Sequence, residues 1–92
     1  GLVGSEMCIR DRNKAFIEKL RQAAKFDDAE DVILIDGLRV EFKDGFALAR
    51  SSNTTPVAVI RVEGDTPEAL ERIKERFAAF ILSVDPTVKL PF

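Results

Sequence analysis

From Asn13 onward, apolar residues recur in two rhythms. Phe16, Leu20, Ala23 and Ala24 fall at i, i+4, i+7 and i+8 with Ile17 beside them, the stripe of an amphipathic helix that Asn13 caps and that ends near Phe26. The polar link "FDDAED" leads to "VILI", which reads as a short, well-buried strand closed by the hairpin dipeptide Asp36-Gly37. In "LRVEFK", Leu38, Val40 and Phe42 alternate with Arg39, Glu41 and Lys43, the period-two sign of a strand wet on one face. A second turn at Asp44-Gly45 separates it from "FALAR", and "VAVIRVE" supplies a fourth strand. Thr66 as N-cap, Pro67 at the first helical position and Glu68 beside the positive dipole end then start a second helix, whose stripe is Leu70, Ile73, Phe77, Phe80, Ile81 and Val84. The predicted architecture is α+β: helix, four strands, helix, with an antiparallel sheet and both helices packed on one face.

The segment before Asn13, "GLVGSEMCIRDR", is read as carrying neither rhythm. It resembles the translation of a sequencing adaptor, and residues 1–12 are expected to be a non-native extension to a domain spanning 13–92. Deleting them is expected to leave stability unchanged.

Composition removes several function classes. Fourteen basic and sixteen acidic residues give a net charge of −2, so no strong positive field draws the chain to nucleic acid or an anionic membrane. The apolar runs are far short of the roughly 20 residues that span a bilayer, and a cytoplasmic protein is expected. Cys8 is the only cysteine and there is no histidine, which removes an internal disulfide, a Ser-His pair and a His-ligated metal.

The chemistry concentrates in "RSSNTTP", Arg50 to Pro56, between two apolar strands. Arg50 ends a strand, and its planar fork suits two oxygens of a phosphate. Ser52, Thr54 and Thr55 offer hydroxyls, Asn53 an amide, and successive N–H groups of a curved loop form an anion-binding nest. The competing reading is a solvated turn whose hydroxyls bond their own backbone. Ser51 and Ser52 read as donors rather than nucleophiles, because the chain holds no base to activate them. Asp36 and Asp44 each precede a glycine and read as turn residues rather than metal ligands. Phe16, Phe26, Phe42, Phe46, Phe77 and Phe80 read as core rather than a base-stacking surface, with nothing basic interleaved among them.

The stretch "DGLRVEFKDGFALARSSNTTPVAVIRVEGDTPEALERIKERF" resembles, over its whole length, the C-terminal domain of the alpha-D-phosphohexomutases, above all the bacterial phosphomannomutase/phosphoglucomutase branch. The shared features are the Asp-Gly hairpin, the Gly-aromatic strand entry, the Arg-x-Ser-Asn-Thr-Thr-Pro loop, the Thr-Pro-Glu helix start and the terminal "KLPF". The resemblance implies a fold like the TATA-binding protein's. It also implies a part in interconverting hexose 1-phosphate and 6-phosphate, with mannose or glucose phosphates as partners. In that family the phosphoserine and a magnesium ion belong to upstream domains, and the C-terminal domain closes over the cleft. Carried over, Arg50, Ser52, Asn53 and Thr54 would hold the phosphate that is not being transferred, with Thr55 contributing. No phosphoserine loop, Asp-Gly-Asp metal motif or sugar-recognition loop occurs in the chain, so no catalytic residue, metal ligand or cofactor is assigned to it. Two alternatives stand: a phosphoglucosamine mutase domain, in which Ser-Gly-Thr-Glu-Pro is the more frequent loop, and a stand-alone anion-binding regulatory module.

Overall fold

The computed structural model describes residues 2–10, 12–52 and 55–90. In chain order the elements are β1 (Val3–Arg10), α1 (Lys14–Ala23), β2 (Asp31–Ile33), β3 (Leu38–Phe42), β4 (Gly45–Ser51), β5 (Val57–Gly64) and α2 (Pro67–Val84). The strands form one antiparallel sheet in the order β1-β5-β4-β3-β2.

Both helices begin as their residues dictate. The Asn13 side chain accepts from Ala15 N at 3.0 Å, and the Thr66 hydroxyl from Ala69 N at 3.1 Å, each satisfying an amide that the first turn leaves without a partner. The helices cover one face of the sheet. Leu20, Ile73, Phe77 and Ile81 close over Leu38, Val40, Ala47, Ala49, Ala58, Ile60 and Val62, all at most 1% exposed. Alanines at three of these sheet positions, Ala47, Ala49 and Ala58, let the helices sit close. The Phe26 ring packs against Phe42, Phe77 and Phe80, with centroids 4.7–6.3 Å away, and seals the end of the helical layer.

Three sequence expectations need correction. The sheet has five strands rather than four, because Val3–Arg10 pairs with β5 along its whole length. Val3, Ser5, Met7 and Ile9 alternate toward the helices, but the serine and the single β-branched neighbour at each end leave a faint period-two signal. Ile9 is 5% exposed. The run "VILI" is not a well-buried strand: β2 is a three-residue edge, and Leu34 and Ile35 lie beyond it, 40% and 79% exposed. An apolar run alone does not reveal that its chain leaves the sheet to turn. Phe46 is half-buried on the uncovered face rather than in the core, with the Arg39 guanidinium 3.9 Å above its ring. Arg76 similarly lies 4.6 Å from the Phe26 ring, so basic groups do interleave with the aromatics.

Candidate functional site

The polar loop is held at both ends by backbone bonds. Ser51 is the last residue of β4, opposite Ala58, and the Ser52 N–H donates to the Val57 carbonyl at 3.0 Å. The Val57 N–H donates to the Thr55 carbonyl at 2.8 Å, and the Thr55 hydroxyl to Ser52 Oγ at 3.2 Å. The connection proper is thus five residues, Ser52 to Pro56, shorter than the polar stretch suggests. Asn53 and Thr54 lie outside the described residues.

Arg50 occupies the next-to-last position of β4, paired with Val59, and is exposed. Strand alternation sends Ala47, Ala49 and Ser51 toward the helices, and Leu48 and Arg50 toward the other face. Ion pairs among the described residues engage Arg12, Arg21, Arg39, Arg61, Arg72, Lys74 and Arg76, but not Arg50. A cation fixed at the base of a hydroxyl-bearing loop, with no carboxylate of the described residues in ion-pair range, is available to an anion. Arg50 and Ser51 line a cleft of about 770 Å³ together with Lys14, Ile17, Glu18 and Arg21 of α1 and the Asp36-Gly37 turn. The sequence reading missed these neighbours, since Lys14 sits behind a helix cap and Asp36-Gly37 carries only a turn signal. A depression of similar volume, about 760 Å³, lies between the helices beside Lys19, Arg76 and Phe80, away from the loop.

The perturbed acids belong elsewhere. The hydrogen bond from Arg72 holds the Asp44 carboxyl below its ordinary range and ties the β3–β4 turn to α2. Asp28 is lowered first by its bond from Arg76, and Asp85 by the Thr87 hydroxyl and then Arg12. These are surface struts. Among the described residues no group of three or more acidic or cysteine side chains could hold a metal ion, and no helix is long and apolar enough to cross a membrane.

A family model for the C-terminal domain of phosphoglucomutase/phosphomannomutase matches residues 8–80. The chain belongs to this family. A phosphoglucomutase from Neisseria gonorrhoeae is 58% identical over 67 residues, 73% of this chain and 15% of that protein. A phosphomannomutase/phosphoglucomutase from Pseudomonas aeruginosa is 43% identical over 82 residues, 89% of this chain and 18% of that protein. The crystal structure of a phosphoglucomutase/phosphomannomutase family protein from Burkholderia thailandensis superposes with a TM-score of 0.90 at 48% identity, over 100% of this chain and 20% of that one. The chain therefore spans about a fifth or less of the length of these relatives.

Proposed function

We propose that residues 13–92 act as the substrate-phosphate-binding domain of a phosphohexomutase that interconverts hexose 1-phosphate and 6-phosphate. The observation that carries this reading is Arg50, set at the base of the Ser52–Pro56 loop and outside the ion pairs of the described residues, in a member of the phosphoglucomutase/phosphomannomutase family. Arg50 supplies the charge, the hydroxyls of Ser52 and Thr55 supply further donors, and Asn53 and Thr54 complete the set proposed from sequence. The loop aligns; it does not attack. Holding the phosphate that is not transferred raises the effective concentration of the reacting hydroxyl, and closure over the cleft excludes water. Phosphoryl transfer, with its serine and its magnesium ion, is assigned to upstream domains of the same enzyme, and the residues described here do not suit that metal.

The test is a titration of this chain with glucose 6-phosphate followed by amide shifts. A single phosphate on a site open to water should bind no more tightly than roughly millimolar. The signals of Arg50 to Thr55 should move first and the shifts should fade with added salt. Turnover of mannose or glucose 1-phosphate by the chain alone is expected to be nil. Micromolar binding centred away from the loop would refute the assignment and favour a self-sufficient binding module.

A further inference from the structure

The residue next to Arg50 across the sheet end is Gly37, and its surroundings are unusual for a turn glycine. It is buried, with φ at +136°, and a Cβ built on it would lie 2.5 Å from the Ala49 carbonyl oxygen and 3.2 Å from Arg50 Cβ. Its three nearest neighbours all belong to Ala49 and Arg50, the residues that lead into the polar loop. Asp36 before it also has a positive φ, 57°, which aspartate tolerates better than most residues. The register places Leu38 opposite Ala49, so this turn rests against β4 at Arg50, just past the last β3–β4 pair.

We propose that Gly37 is a positioning residue for phosphate binding: the Asp36-Gly37 turn packs against the backbone of Ala49-Arg50 and fixes where the Arg50 guanidinium is presented. The inference rests on the phosphate-binding reading of Arg50. Any L side chain at 37 meets backbone rather than a yielding side chain, so the strand end must shift, and a donor moved by a fraction of an ångström no longer matches both phosphate oxygens. The charges near the turn allow the backbone effect to be separated from electrostatics. Asp36 shares the cleft with Lys14, Arg21 and Arg50, and Arg21 is already paired with Glu18. Removing the Asp36 carboxylate takes a negative charge away from an anion site, so charge alone strengthens binding.

The experiment titrates this chain with glucose 6-phosphate, read by the Arg50 guanidinium and Ser51 and Ser52 amide shifts and expressed per folded molecule. Asp36→Asn, which retains a residue suited to positive φ, should bind as well as the parent or better. Gly37→Ala should bind about tenfold more weakly, as a misplaced donor implies, with a displaced Arg50 signal before ligand is added. Parent-like affinity in Gly37→Ala while Arg50→Ala loses binding would overturn the positioning role and leave the phosphate reading intact. Unchanged binding in Arg50→Ala would instead overturn the phosphate reading, and this inference with it. Weaker binding in Asp36→Asn would assign the effect to the carboxylate and refute the backbone account. If Gly37→Ala fails to fold, Asp36→Gly separates the same causes by sign. It loosens the turn while removing the negative charge, so weaker binding supports positioning and equal or stronger binding overturns it.

Discussion

Truncating Ile9 to alanine tests whether the first dozen residues are part of the domain. Ile9 is the innermost side chain of β1, 5% exposed, opposite Ala58 on β5 and in contact with the main core. Replacing a buried isoleucine by alanine costs about 2–4 kcal/mol in lost transfer energy and residual cavity. A chain of 92 residues has roughly 5–14 kcal/mol of stability, so the loss is a large share of the whole. In a domain of this size each kcal/mol moves the thermal midpoint by about 4–8 °C, so Tm should fall by roughly 8–32 °C. Cys8→Ala is the matched control, since Cys8 is exposed on the uncovered face and its loss should stay within about 0.5 kcal/mol. The chain holds no Trp or Tyr, so far-ultraviolet circular dichroism is the natural readout. If Ile9→Ala and Cys8→Ala melt within about 3 °C of the parent, β1 is not docked in solution. Residues 1–12 then behave as the extension that their composition suggests, and β5 is an edge.

Phe77→Ala removes a fully buried ring of the aromatic cluster and should cost about 3–5 kcal/mol, checked by urea unfolding followed at 222 nm. A loss under about 1 kcal/mol would mean that the Phe26-Phe77-Phe80 packing is not formed. Thr66→Ala removes the cap of α2 and should cost about 1 kcal/mol by the same assay, with Thr66→Ser largely retaining it. Asp28, Asp44 and Asp85 all have native pKa values below the ordinary 3.8, held there by hydrogen bonds from Arg76, Arg72 and Thr87. Their contribution is present above 3.8 and is lost as pH falls through the lowered native values, so urea midpoints should be flat above about pH 5 and decline below about pH 4. A midpoint that rises on acidification through that window contradicts these pairings.

What sequence revealed and what it hid divide along physical lines. Helix starts were legible because capping is local: Asn13 and Thr66 bond amides two and three residues away, and the chain itself displays both partners. The alternation in β3 was legible because burial on one face imposes period two. β1 was not, because its pairing is with β5, about fifty residues away in sequence, and a serine interrupts its inward positions while Gly4 lies between them. "VILI" misled for the opposite reason: four apolar residues promise burial, but an edge position and the approach to the turn leave Leu34 and Ile35 outside. In the candidate site, residue order alone placed Arg50 at the end of its strand, ahead of the polar loop. The support beneath it was not legible, since Gly37 acts through what it lacks, and only the proximity of the Ala49-Arg50 backbone gives that absence a meaning.

The arrangement of the sheet sets how Arg50 and the polar loop are presented. Both helices lie on one face, and α1 lends the Arg50 cleft Lys14, Glu18 and Arg21 together with the core residue Ile17. Arg50 stands on β4, which pairs with β3 up to Ala49 and with β5 through Ser51. The pairing with Val59 fixes where its side chain begins. The loop is tied at its ends by the Ser52 N–H to the Val57 carbonyl, and by the Thr55 hydroxyl to Ser52 Oγ. On the function proposed above, an anchor set by the sheet with hydroxyl donors beyond it suits a grip on the phosphate that is not being transferred.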